Sequence, residues 1–81
     1  MLDYLLTGYT IYENPRDLPG KYVMRGWVAM DGGTTQPAHE TITGPLEPVV
    51  LSFMRQKLQA QGRINMGRRP EDDPVIVETW I

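Results

Sequence analysis

The chain has no cysteine and only one histidine among its 81 residues. A disulfide framework is therefore excluded, and no cofactor or metal is expected. Domains of this size usually need a disulfide, a metal or a partner subunit to reinforce a core that supplies about 3–5 kcal/mol. Oligomerisation is the reinforcement that remains. The lack of cysteine also fits a reducing compartment.

Long apolar runs and a basic excess are missing as well. No apolar stretch approaches the roughly 20 residues that cross a bilayer, and Asp3 stands where a secretion signal needs basic residues. The formal net charge is −2, so nucleic acids and anionic membranes exert no general attraction on the chain. These absences predict a cytoplasmic protein with no membrane partner, and they disfavour nonspecific nucleic-acid binding.

The composition is that of an ordinary globular domain, with 41% hydrophobic and 22% charged residues. A chain this short has room for one domain, residues 1–81. Its seven prolines and eight glycines fall in clusters, and these clusters predict the turns between secondary-structure elements.

The pattern between the turns predicts a small α+β fold in the order β-β-α-β. Strands are predicted in the run from Tyr9 to Tyr12, at residues 21–30, where Gly26 marks a bulge, and at residues 75–81. Residues 31–44 are predicted to form a loop, and residues 63–66 a short extended piece. A helix is predicted from Pro45 to Gln61, with Gly62 as its stop. This helix is expected to pack on one face of a small antiparallel sheet.

The helix is the best-defined element. Its predicted buried face has the three-and-four spacing of an amphipathic helix and comprises Leu46, Val49, Val50, Phe53, Met54 and Leu58. Its predicted outer face carries Glu47, Ser52, Arg55, Gln56, Lys57 and Gln59. In the second strand, alternation predicts a core face of Tyr22, Met24, Val28 and Met30.

One helix covers one face of a sheet, so the opposite face needs an explanation. Alternation predicts that Trp27, Ile76 and Trp80 gather there, with Arg25 beside them, and exposed apolar patches or open strand edges usually need cover. Aromatic residues and arginine are also common in binding hot spots. We therefore expect this face or a strand edge to contact another protein chain, one candidate being a second copy. The alternative is that Leu2, Tyr4, Leu5 and Leu6 fold back over it.

Catalytic and metal-binding signals are weak. His39 with Glu40 is the one place for a neutral-pH general base, but no cysteine exists and Ser52 lies within the predicted helix, so the chain is not expected to be an enzyme. Residues 71–73 are acidic, yet they lack the pattern of a calcium loop. Arg63, Arg68 and Arg69 form a local basic cluster that is a candidate nucleic-acid contact.

Two stretches resemble a group of short uncharacterised proteins from bacteria and their phages. They are Tyr9-Thr10-Ile11-Tyr12-Glu13-Asn14-Pro15 with Asp17 and Pro19, and Arg69-Pro70-Glu71-Asp72-Asp73-Pro74-Val75-Ile76-Val77-Glu78-Thr79-Trp80. The resemblance covers roughly a third of the chain and implies a bacterial or prophage context. It carries no catalytic or binding residue with it.

Three hypotheses of function follow. The first is a non-catalytic protein-interaction module, either a homodimer or, more narrowly, a phage- or prophage-borne inhibitor that occludes a host system. The second is a nucleic-acid-associated protein that uses Arg55, Lys57, Arg63, Arg68 and Arg69, which salt-dependent binding would reveal. The third is a small enzyme or ligand-binding domain around His39, which would need a concave pocket with convergent polar groups.

Overall fold

A computed structural model describes residues 7–81, apart from the side chain of His39. The elements are β1 (Gly8–Glu13), β2 (Lys21–Ala29), β3 (Thr35–Pro45), α1 (Pro48–Ala60), β4 (Asn65–Gly67) and β5 (Ile76–Trp80). Every neighbouring pair of strands in the sheet is antiparallel. The predicted class, an α+β fold with an antiparallel sheet and one helix packed on it, is confirmed. The predicted order lacked β3 and β4.

The strand order in the sheet is β3-β2-β1-β5-β4. Within the described residues, β3 and β4 are therefore the two edges. The β1–β2 ladder keeps one register, which pairs Gly8 with Trp27 and Ile11 with Met24. The β2–β3 register shifts between Arg25 and Trp27. The predicted bulge therefore lies in β3, opposite Gly26, while Gly26 itself keeps its regular pairing with Tyr9 of β1. Three residues of β3, 38–40, lie opposite Gly26 there.

The core lies between the sheet and α1. Ile11, Met24, Met54 and Leu58 are fully buried, and Tyr9 and Trp80 complete the cluster. Met54 and Leu58 are four residues apart, so they project from one side of the helix. Burial of these large apolar side chains is the main stabilisation available to so small a fold.

Two features define the ends of α1. Pro48 occupies the first turn, where its missing N–H and fixed φ cost nothing, so the helix begins three residues later than the predicted Pro45. Gly62 follows the last turn with φ 76°, a left-handed conformation that glycine adopts without steric penalty. The predicted stop at Gly62 is confirmed.

The predicted loop at residues 31–44 is wrong from Thr35 onward, because β3 pairs with β2 over most of its length. Pro37, Gly44 and Pro45 favoured the loop prediction, since proline cannot donate to a ladder. An edge strand tolerates proline because its outer side needs no donor. The alternating Thr41, Ile42 and Thr43 form the β-branched signal that the prediction overlooked.

Candidate functional site

The structure divides the predicted Trp27, Ile76 and Trp80 patch between two faces of the sheet. Trp80 is 3% exposed and packs in the core beneath α1, so its predicted position on the outer face is wrong. The cause is its pairing with Tyr9, another core residue. Trp27 lies opposite Gly8, and Ile76 lies opposite Tyr12. These two side chains do project from the face away from the helix, but at opposite ends of β1.

Arg25 also lies on the face away from the helix. Its guanidinium carbon is 5.3 Å from the centroid of the Tyr12 ring, and it forms an ion pair with Asp17. A shallow cleft of about 520 Å³ separates Tyr12 from Trp27. The alternative cover, which used Leu2, Tyr4, Leu5 and Leu6, lies outside the described residues.

Two of the three predicted basic side chains, those of Arg63 and Arg68, contact other groups of the chain. Arg63 lies 4.8 Å from the centroid of the Tyr9 ring and donates to the Thr7 carbonyl at 3.1 Å. Arg68 donates to the Asp72 carbonyl at 3.4 Å. The backbone N–H of Arg69 donates to the Asp72 carboxylate at 2.9 Å. The Arg68 and Arg69 contacts lie within the turn before β5, whereas Arg63 packs against β1.

Arg55 does not lie on the outer face of α1 as predicted, because it forms an ion pair with Glu78 of β5. Its Nε and Nη2 donate to the two carboxylate oxygens at 3.0 and 2.8 Å, and Trp80 Nε1 donates to the same carboxylate at 2.7 Å. Burial alone would raise the pKa of Glu78, but the hydrogen bonds from Arg55 and Trp80 outweigh it and lower that pKa. Glu78 therefore remains ionised beneath the helix.

His39 belongs to strand β3 and not to a loop before the helix, and its side chain lies outside the described part of the chain. Glu40 accepts a hydrogen bond from the Tyr9 hydroxyl at 3.4 Å. Among the described residues, no three potential metal ligands from His, Cys, Asp and Glu come together. Asp73 accepts from the backbone N–H of Val75, so this acid has a structural role in its turn.

An apolar surface that sequence reasoning missed lies along α1. Val49 is 67% exposed and Phe53 is 57% exposed, although both were predicted to be buried. They form the outer flank of the helix, on the side of β3, and Leu46, which is also exposed, lies just before the helix. A groove of about 390 Å³ runs between this flank and Ile42. We call it the α1–β3 groove; it is lined by Ile42, Thr43, Gly44, Pro45, Val49, Val50, Phe53 and Met54.

The floor of the groove is bordered by the free edge of β3. Within the described residues, β3 has a hydrogen-bonded neighbour on one side only. Residues 41–44 carry no charged side chain. Two features that usually protect a strand edge, a proline and a bulge, occur only at the ends of this stretch, at Pro45 and at residues 38–40. The α1–β3 groove thus combines exposed apolar side chains with unpaired strand backbone.

The overlooked signal was the width of the apolar stripe on α1. Of the six apolar positions that were predicted to be buried, only Met54 and Leu58 become fully buried, and Leu46 lies before the helix begins. The surplus at Val49 and Phe53 indicates a second contact surface, since a monomer rarely exposes adjoining large apolar groups without a use for them.

Comparisons with protein-family models, with curated proteins and with solved structures each find no match to this chain. The resemblance to bacterial and phage proteins therefore stays a prediction. In the described part of the chain, no helix has the length and apolar character to span a bilayer.

Proposed function

We propose that this chain is a small non-catalytic protein-interaction module that binds an extended segment of another polypeptide chain. The segment adds to the free edge of β3 as a further strand, and its alternate side chains pack against the flank of α1. The observation that carries the proposal is the α1–β3 groove, in which an uncharged strand edge runs beside the exposed Val49 and Phe53.

Strand addition divides recognition into two parts. The backbone of β3 supplies hydrogen bonds that any extended chain can complete, and the apolar flank selects the side chains of the segment. Side chains of an added strand alternate between the two faces of the sheet. Every second residue of the segment would therefore face α1, and an apolar residue at those positions covers Phe53.

The test is selection of phage-displayed random heptapeptides on the protein, immobilised at low density so that its copies do not meet. We expect peptides with apolar residues at alternate positions. Phe53→Asp should weaken their binding by about tenfold or more, which corresponds to about 1.4 kcal/mol, because it places a charge against the apolar side chains. Met66→Asp is the matched control, since Met66 is as exposed as Phe53 but lies on β4 at the far edge.

Peptides that bind wild type and Phe53→Asp equally would contradict the proposal. A library that yields no binder at all would also count against it.

A narrower version of the proposal is an inhibitor that occludes a component of a bacterial host. Its support is the small size of the chain and the resemblance to bacterial and phage proteins. The groove would be its binding surface, and the peptide test applies to it unchanged.

A further inference from the structure

The strand that the α1–β3 groove receives is, we infer, β3 of a second copy of this chain. The inference rests on the proposed function and names its partner. Two copies pair their β3 edges antiparallel about a two-fold axis at Ile42, and the two sheets become one continuous sheet. The argument starts from the backbone groups that the edge offers.

The ladder shows which residues of β3 direct their backbone groups outward. Asn14 donates to the Lys21 carbonyl across β1 and β2, so alternate residues of β2, beginning with Tyr22, direct theirs toward β3. Tyr22 pairs with Gly44, and Met24 pairs with Ile42. The N–H and C=O groups of the residues between them therefore face away from the sheet.

Those outward residues are Thr41 and Thr43. The next outward position is Pro45, which has no N–H and whose carbonyl accepts from Glu47 N–H at 2.8 Å. The edge is irregular on the other side as well, where residues 38–40 bulge opposite Gly26. The regular free edge is thus a short window with two donors and two acceptors.

A two-fold axis at Ile42 uses all of these groups. It places Thr41 of one copy opposite Thr43 of the other, and each such pair exchanges two hydrogen bonds. An axis at Thr43 would instead set Thr41 against Pro45, which cannot donate. The two outward residues of one copy therefore pair with the same two residues of a second copy, and they can do so in only one register.

The side chains agree with this register. Ile42 meets its counterpart on the helix side of the sheet, next to the exposed flanks of both helices. Thr41 and Thr43 meet on the opposite side, and threonine pairs are favourable across strands. Glu40 lies opposite Gly44, so like charges are not brought together directly.

Charge and exposed apolar area also favour a second copy. Glu47 precedes α1 and Lys57 lies in its last turn, and a two-fold axis runs the two helices in opposite directions. The acidic end of one helix then lies toward the basic end of the other. Among the exposed large hydrophobic side chains of the described residues, Val49 and Phe53 line the groove, and a second copy would cover them. A chain that has no disulfide needs such cover.

The first experiment is solution mass by light scattering over a dilution series. We expect about 18 kDa at high concentration, twice the 9.2 kDa of the chain, and a fall toward the monomer on dilution. Thr43→Pro removes one outward N–H and no bond to β2, so it should stay monomeric with an unchanged circular dichroism spectrum. Thr43→Ala keeps the N–H and should still dimerise.

The second experiment fixes the register through single cysteines, which the cysteine-free chain allows. Residues opposite one another at a non-hydrogen-bonded pair have Cα atoms about 4.5 Å apart, within the range of a disulfide. Ile42→Cys should therefore cross-link to itself on mild oxidation. Thr41→Cys and Thr43→Cys should each form no disulfide-linked dimer alone, since like positions are then about 7–8 Å apart or more, and should cross-link when mixed.

Several outcomes would overturn the inference. A wild type that is monomeric at all concentrations removes the second copy, as does a Thr43→Pro dimer. Self-linked Thr43→Cys removes the axis at Ile42. If the wild type is a monomer but alternating peptides still bind and depend on Phe53, the partner is a different protein and the proposed function survives. If the wild type is a monomer and no alternating peptide binds in a way that depends on Phe53, the proposed function fails as well.

Discussion

Replacing Glu78 with glutamine tests the cluster that joins α1 to β5. Glu78 is 5% exposed, and its carboxylate accepts two hydrogen bonds from Arg55 and one from Trp80. Glutamine keeps the shape but has one acceptor oxygen, and its NH₂ group would face the guanidinium donors. At least one charge-assisted hydrogen bond is lost, and such bonds contribute about 1.5–3 kcal/mol each.

The exposure of Arg55 limits the loss. Its side chain is 42% exposed, so water replaces part of what the carboxylate provided, as it does for surface ion pairs. We therefore expect Glu78→Gln to lower the free energy of unfolding by about 2 kcal/mol. For a fold of this size that is a large fraction of the total stability.

Urea unfolding followed by circular dichroism measures this difference. Glu71→Gln is the matched control, because Glu71 is exposed in the turn before β5 and surface substitutions usually change stability by less than about 0.5 kcal/mol. Equal losses for the two variants would refute the reasoning.

The pH dependence provides a second check. Because the pKa of Glu78 is lowered in the folded chain, the unfolded state takes up the proton first as the pH falls. The contribution of Glu78 to the free energy of unfolding is then complete above its unfolded pKa of about 4.3. It is lost as the pH falls through the pKa of Glu78 in the folded chain. The difference in free energy of unfolding between wild type and Glu78→Gln should therefore become smaller from pH 6 toward pH 3. A gap that stays constant would contradict the assigned ion pair.

Three further substitutions test the packing. Gly8→Ala would place its Cβ against the Trp80 carbonyl oxygen and 2.7 Å from the Trp27 ring. Overpacking of this kind costs about 1–3 kcal/mol, so we expect a lower melting temperature; an unchanged one would contradict the close approach of these two groups to Gly8. Leu58→Ala removes a fully buried side chain and should cost about 3 kcal/mol, whereas Phe53→Ala should cost less than about 1 kcal/mol in the monomer because the ring is exposed. Equal losses would place Phe53 in the core.

The helix could be predicted from the sequence because its signals are local. Met54 and Leu58 lie four residues apart, and Gly62 ends the pattern with the conformation that glycine favours. Its exact start could not be predicted, since Pro45 and Pro48 are both acceptable at a first helical position. The start of the helix depends on whether Pro45 continues β3. Pro45 does so by pairing with β2, and that pairing joins residues that are distant in the sequence.

The face of the sheet on which Trp80 lies could not be predicted for a similar reason. Alternation in β5 correctly separates Glu78 and Trp80 from Thr79, but it does not say which set faces the helix. A carboxylate in a strand ordinarily favours the solvent face, because buried carboxylates are rare. The ion pair with Arg55 reverses that expectation, and an ion pair between a helix and a strand 23 residues apart leaves no local trace in the sequence.

The α1–β3 groove was within reach of sequence reasoning only in part. A surplus of apolar residues on α1 is visible in the sequence, and an open strand edge was one of the two contact surfaces expected. The particular edge was not, because β3 itself was read as a loop. The site needs the pairing of Met24 with Ile42, since this pairing decides that Thr41 and Thr43 face outward.

The same arrangement explains why an uncharged edge need not lead to aggregation. An exposed edge can propagate pairing without limit only if both edges of the sheet are available to successive copies. The other edge, β4, is three residues long and contains Gly67 with φ 72°, so it offers little regular strand. A pairing of β3 with β3 about a two-fold axis uses the longer edge of both copies at once. Association then closes at two chains, and Pro45 and the bulge confine it to one register.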